Sequence, residues 1–334
     1  MKPKIIALIG GAGFIGHNLA LSLKKLGHKP IIVDSLAVNN VLSFTDSEIK
    51  NRKLYWAILN QRMDLLHENG IDINVEDARN YNAVGLLIGK YKPDVIIQLA
   101  AVSHANKSNK DPHTTFDHTL RTLENTLDIA RSFGSHVIYF SSSMVYGHFD
   151  GKTVTEETPC NPLGIYDTLK YAGELIVKAY HRVFDTTYTI IRPSALYGER
   201  CVSRRVSQIF IENAVQKLDI TINGDGSDKL DFTYIEDLVH GVTLTLENEK
   251  ARNETFNMTY GEARTIGEMA EILKDHFEDI NINYIPKDSL TPDRGTLSVN
   301  KARALLGYKP QNPIDVGYPK YINWYKSFWD TLKK

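Results

Sequence analysis

Residues 5–16 read IIALIGGAGFIG, and the fold turns on how this stretch is understood. Five consecutive apolar residues are too few for a helix with a buried face; they suit a strand covered on both sides. Gly10, Gly11, Gly13 and Gly16 follow, fitting G-x-G-x-x-G from Gly11 and G-x-x-G-x-x-G from Gly10, and they open a segment, FIGHNLALSLKKLG, with helical spacing. Strand, glycine turn and helix in this order begin a βαβ crossover: the glycines permit a tight turn, close backbone approach to a pyrophosphate, and close packing of helix on strand. The helix start presents unpaired N–H groups and a positive dipole end to phosphates.

The next apolar run, KPIIVDS, ends in Asp34. A carboxylate there accepts hydrogen bonds from ribose hydroxyls and repels a 2′-phosphate, so NAD is expected rather than NADP. The stretch SLAVNN, 35–40, has no arginine that would reverse this preference. Further runs (PDVIIQLAA, HVIYFSSS) alternate with helical patterns such as TLENTLDIARSFG, which predicts an α/β fold with a doubly wound parallel sheet. From about residue 192 the spacing becomes irregular, with helices predicted over 204–217, 265–277 and 315–330. A cofactor domain over 1–190 and a smaller α/β lobe over 191–334, interwoven at the boundary, are therefore expected. The charged helical segment 47–70, SEIKNRKLYWAILNQRMDLLHENG, is expected to decorate the surface.

Hydrophobic residues make up 42% of the 334, charged residues 24%, and the net charge is −1. That is the composition of an ordinary globular protein, with no basic excess for nucleic acid and no run long enough to cross a membrane. Cys160 and Cys201 cannot form a disulfide framework, so a reducing, cytoplasmic setting is expected. No metal site is expected.

The stretch GIYDTLKY, 164–171, puts Tyr166 and Lys170 one helical turn apart. By itself such a pair describes many solvated helix faces. Removing a hydroxyl proton with a phenol whose ordinary pKa is about 10 requires a nearby cation, which the lysine supplies. Ser141, Ser142 and Ser143 end the strand HVIYF, and ligands in open α/β sheets gather beyond the carboxyl ends of strands. Each serine alone would equally serve as a turn former.

GGAGFIG at 10–16, Asp34, FSSSMVYG at 140–147, YDTLK at 166–170, RPSALYG at 192–198, LDFTYIEDL at 230–238 and LGYKP at 306–310 together resemble the ordered signatures of extended short-chain dehydrogenases/reductases. Within these the chain is most similar to the nucleotide-sugar epimerase/dehydratase group, along nearly its whole length. The resemblance implies a Rossmann-like domain holding NAD and a C-terminal lobe holding a sugar nucleotide, UDP- or GDP-linked. By motif position it puts the catalytic hydroxyl on Ser142, and the base and its lysine on Tyr166 and Lys170. The same matching gives the cofactor Gly10, Gly13, Phe14, Ile15, Gly16, Asp34, Asp77, Ala78, Leu99, Ala100, Ala101 and Pro193 besides Tyr166 and Lys170. It gives the sugar nucleotide Ser103, Ser142, Ser143 and Ala195.

Four places depart from the pattern. The acid pair of the dehydratases, in Thr-Asp-Glu, is replaced by Ser143 and Met144 after Ser142, which disfavours 4,6-dehydration. Ala195 stands for the usual Asn, Leu230 for the diphosphate-clamping Arg, and His118 for an Asn after the fourth strand. A buried diphosphate still needs cations, and Arg204, Arg205 and Arg294 are the candidates to replace the clamp. The expectation is oxidation at C4 of a nucleotide sugar, by a 4-epimerase of surface-polysaccharide biosynthesis; the alternatives are a 4-dehydrogenase that releases the ketone and, further off, a non-catalytic dinucleotide sensor. The resemblance also implies a homodimer paired through helices over 115–133 and 163–184.

Overall fold

The computed structural model describes residues 2–46, 48–102, 105–278, 280–286 and 292–333. Seven parallel strands form the central sheet: β1 (Ile5–Ile9), β2 (Lys29–Asp34), β3 (Ile73–Val75), β4 (Val95–Gln98), β5 (His136–Phe140), β6 (Tyr188–Arg192) and β7 (Glu254–Asn257). Their order is β7-β6-β5-β4-β1-β2-β3. The order reverses between β1 and β4, and Ile9 is paired with Val33 of β2 and with Gln98 of β4. The glycine turn therefore leaves the sheet at its switch point, where strand ends splay and a ligand fits.

Alternation along β1 explains its wholly apolar composition. Ile6 and Leu8 join a core with Leu19 and Leu23 of α1 (Phe14–Lys25) and Leu238 and Val242 of the helix Ile235–Glu247. Ala7 and Ile9 face the other layer, among Val84, Leu123, Leu127 and Val177. Both faces are covered, so no position in the strand is left for a polar side chain. β7, from beyond residue 191, completes the edge by pairing with β6.

The segment expected to decorate the surface does not do so. Its helix α2 (Arg52–Glu68) buries Leu54, Tyr55, Ile58, Leu59, Arg62 and Leu66, and the first four of these pack with Phe210, Ile211, Tyr321 and Tyr325 from later in the chain. Tyr55 and Tyr325 both donate to Glu212, each at 2.8 Å. Apart from Arg62, the charged residues of the helix lie on its outer face, while the period of 3–4 residues hid a buried one. The helix expected over 115–133 is likewise not uniform: a π-turn, Asp117–Arg121, interrupts it before α3 (Thr122–Phe133), and His118 lies in that turn.

Candidate active site

Two adjoining clefts lie beyond the carboxyl ends of the strands. Gly10, Gly13, Phe14, Ile15 and Gly16 line the first, with Asp34 at the end of β2, Asp77 and Ala78 after β3, and Leu99, Ala100 and Ala101 after β4. Two glycines are demanded by geometry. Gly10 has φ +81°, and a Cβ there would sit 2.7 Å from the Ala100 nitrogen; a Cβ on Gly16 would sit 2.4 Å from the Gly11 oxygen. The first fixes the turn and the second lets α1 begin against it, leaving the helix N-terminus open to the cleft.

Asp34 also builds the turn. Its carboxylate accepts from Ala12 N at 2.9 Å and from Leu36 N at 2.7 Å. Burial raises its pKa, against which those two amides and the nearby Arg62 act. Asp77 is engaged by Arg79 at 2.7 Å, which holds its carboxyl below the usual range. The cradle, the dipole end and the terminal carboxylate together suit a dinucleotide. Among the lining residues that escaped the sequence reading are Arg62, Thr122 and Val202. For Arg62 a signal existed, because Tyr55, Ile58, Leu59, Arg62 and Leu66 share one helical face.

The second cleft brings Ser142, Ser143, Tyr166, Lys170, Pro193, Ala195, Arg204, Arg205 and Arg294 together. Ser103 lies outside the described residues. Ile15, Leu99, Ala101, Leu196 and Arg205 border both clefts. Tyr166 and Lys170 lie in the first two turns of α4 (Ile165–Phe184), which starts at Gly164, where Asp167 accepts from the Leu163 and Gly164 amides. Ser142 caps a short 3₁₀ turn, its hydroxyl accepting from Met144 N at 3.2 Å.

The electrostatics differ from the simplest expectation for a Tyr-Lys pair. Burial raises the Tyr166 pKa; Arg205, a hydrogen bond from Ser142 and Arg294 pull it back. Lys170 instead donates to the Phe140 carbonyl at 2.7 Å and lies 5.3 Å from the centre of the Tyr139 ring. Burial lowers its pKa to about 8, with Glu174 acting the other way. Arg205 and Arg294, two of the three clamp candidates, are thus also cations acting on the phenol, a role the sequence did not reveal because 39 and 128 residues separate them from it. Arg294 has a buried Nε without a hydrogen-bond partner among the described residues, and burial lowers its pKa to about 10. Met144, Leu230 and Ala195 line the same cleft; none is an acid.

A sequence model described as the NAD dependent epimerase/dehydratase family matches residues 6–259. A putative UDP-glucose 4-epimerase of Methanocaldococcus jannaschii is 28% identical over 97% of this chain and 99% of its own. A UDP-glucuronate 4-epimerase of Thermodesulfobacterium geofontis is 26% identical, over 97% of each chain. The fold is that of the UDP-glucuronic acid 4-epimerase of Bacillus cereus, solved with UDP-glucuronic acid and NAD: TM-score 0.87, 24% identity, 97% of this chain and 99% of that one. With the match spanning most of its length, the chain belongs to the NAD dependent epimerase/dehydratase family and is an NAD-dependent enzyme.

Proposed function

We propose that the protein is a 4-epimerase of a nucleotide-activated sugar, most consistent with a UDP-sugar. The observation that carries this reading is the meeting of Ser142, Tyr166 and Lys170 at the floor of a cleft that joins the cofactor cleft on one side and Arg204, Arg205 and Arg294 on the other. Bound NAD supplies the hydride acceptor. Tyr166 removes the C4 hydroxyl proton, Ser142 steadies that oxygen, and the buried Lys170 ammonium anchors the cofactor ribose and favours the phenolate. Arg205 and Arg294 hold the diphosphate, taking over from the arginine whose place Leu230 occupies. Met144 leaves no acid to expel a 6-hydroxyl, which supports return of the ketone over dehydration.

The curated relatives named for 4-epimerisation of UDP-sugars support this outcome over release of the ketone. The apolar face of α4, including Leu175, half exposed at 50%, supports a homodimer. A reducing, cytoplasmic setting suits its free Cys160 and Cys201.

Incubation with UDP-, GDP-, dTDP- and CDP-sugars, followed by NADH absorbance and product NMR, tests the reading. The expected result is a C4 epimer of one UDP-sugar with no net NADH. Stoichiometric NADH with a 4-keto product would replace it by the dehydrogenase. Tyr166→Phe is expected to lose about 10²–10⁴-fold in kcat while still binding NAD, and full turnover in that variant would remove Tyr166 from the chemistry.

A further inference from the structure

His17 lies in the first turn of α1 and is fully buried. Its Nδ1 is 2.9 Å from the Gly13 carbonyl oxygen, and its Nε2 is 3.2 Å from Nε of Arg200. A carbonyl only accepts and a guanidinium only donates. Nδ1 must therefore carry the proton and Nε2 must be bare, so the two contacts admit only the neutral Nδ1–H imidazole. Burial, then Arg62 and Arg200, push its pKa well below the ordinary value, in agreement.

Arg200 belongs to a segment whose backbone is strained at several positions. Ala195, Gly198, Arg200 and Arg204 have φ of 35°, 140°, 62° and 51°, and the left-handed region is disfavoured for the three that are not glycine. Arg62 of α2 secures the Arg200 carbonyl through Nε at 2.9 Å and through Nη2, while His17 secures its side chain. Beyond Arg200, Ser203 borders the cofactor cleft, Arg204 the other, and Arg205 both.

We propose that His17 is a positioning residue that ties the glycine turn, through Arg200, to the segment 200–205, so that order in the cofactor site promotes binding of the sugar nucleotide. The inference rests on the proposed nucleotide-sugar substrate. One contact pair joins the Gly13 carbonyl, at the cofactor turn, to the strained segment that carries Arg204 and Arg205. The coupling is reciprocal: whatever NAD adds to sugar-nucleotide affinity, the sugar nucleotide adds to NAD affinity.

The test uses the full chain with NAD titrated, in wild type, His17→Ala, His17→Gln and Arg200→Met. Hydrogen exchange of residues 198–205 is expected to slow on adding NAD in wild type, to be unaffected in His17→Ala and Arg200→Met, and to recover in His17→Gln, whose amide both donates and accepts. The affinity for UDP-glucose is expected to rise about fivefold or more with NAD in wild type, and less than twofold in His17→Ala, the usual span of coupled sites being about 5–150-fold. Long-range ¹H–¹⁵N NMR of wild type is expected to show Nδ1 protonated and Nε2 bare. An Nε2–H tautomer, or exchange that responds to NAD equally in wild type and His17→Ala, overturns the inference. Exchange that responds as expected in a protein binding none of the UDP-, GDP-, dTDP- and CDP-sugars overturns the functional reading and leaves the link from His17 to the segment standing.

Discussion

Glu174 and Arg192 form a two-pronged ion pair, Nε to Oε1 at 2.8 Å and Nη2 to Oε2 at 2.6 Å, with side chains 0% and 3% exposed. Glu174 also takes the Ser141 hydroxyl at 2.5 Å, and Arg192 donates to the Tyr146 hydroxyl at 2.8 Å. The pair therefore clamps the end of β6 and α4 to the serine run that carries Ser142. Removing one partner leaves the other charge buried and uncompensated. Glu174→Ala is expected to cost about 3–5 kcal/mol in urea unfolding; a loss under about 1 kcal/mol would mean that solvent reaches the pair.

Ala195 occupies a left-handed backbone conformation, φ +35°, that asparagine, the residue the family pattern favours there, tolerates far better than alanine. Ala195→Gly relieves roughly 1–2 kcal/mol of backbone cost against about 0.4–1 kcal/mol of added unfolded-state entropy. The variant is expected to be the more stable by thermal unfolding, and a lower midpoint would show that the alanine methyl contributes more by packing than it costs in strain.

Lys170 has its pKa lowered to about 8 by burial. Its ammonium is the form that favours the Tyr166 phenolate, so kcat/KM is expected to fall as pH rises through about 8. A profile flat to pH 10 would show that bound NAD or substrate restores the ordinary lysine value, or that the ammonium is not required.

His136 titrates the fold itself. It is partly buried, its ring nitrogens lie 3.0 Å from the Thr187 and Thr189 hydroxyls, and desolvation, then Arg252 and Lys4, lower its pKa to about 4. Between pH 6.5 and 4 the unfolded chain binds a proton that the folded one does not, so stability falls as pH falls across that window, by about 3 kcal/mol for this group. His17 acts in the same direction. His136→Gln is expected to flatten the fall, measured as unfolding free energy against pH, and an unchanged slope would assign the acid sensitivity elsewhere.

Much of this enzyme is legible in one dimension because its signals are local. The apolar run of β1, the glycines after it and Asp34 specify a strand, a turn and a carboxylate through spacings of a few residues. Tyr166 and Lys170 share a helix face because four residues make about one turn. The motif order 142, 166, 170 then follows from a parallel sheet whose strand ends point one way.

The remainder depended on which distant residues met. The segment 47–70 looked solvated because charged residues recur along it, yet Arg62 is buried and bonded to a carbonyl 138 residues away. His17 looked like one more helix residue until the fold set it against Arg200, 183 residues on. Tyr166 was expected to answer to Lys170; in the folded protein burial raises its pKa, and Arg205 and Arg294 act against that. Sequence alone determined the strand, the cradle and the one-turn spacing of Tyr166 and Lys170, since backbone periodicity brings those atoms together. Tertiary structure alone decided the electrostatics around them, because desolvation and charge act through space and take no account of distance along the chain.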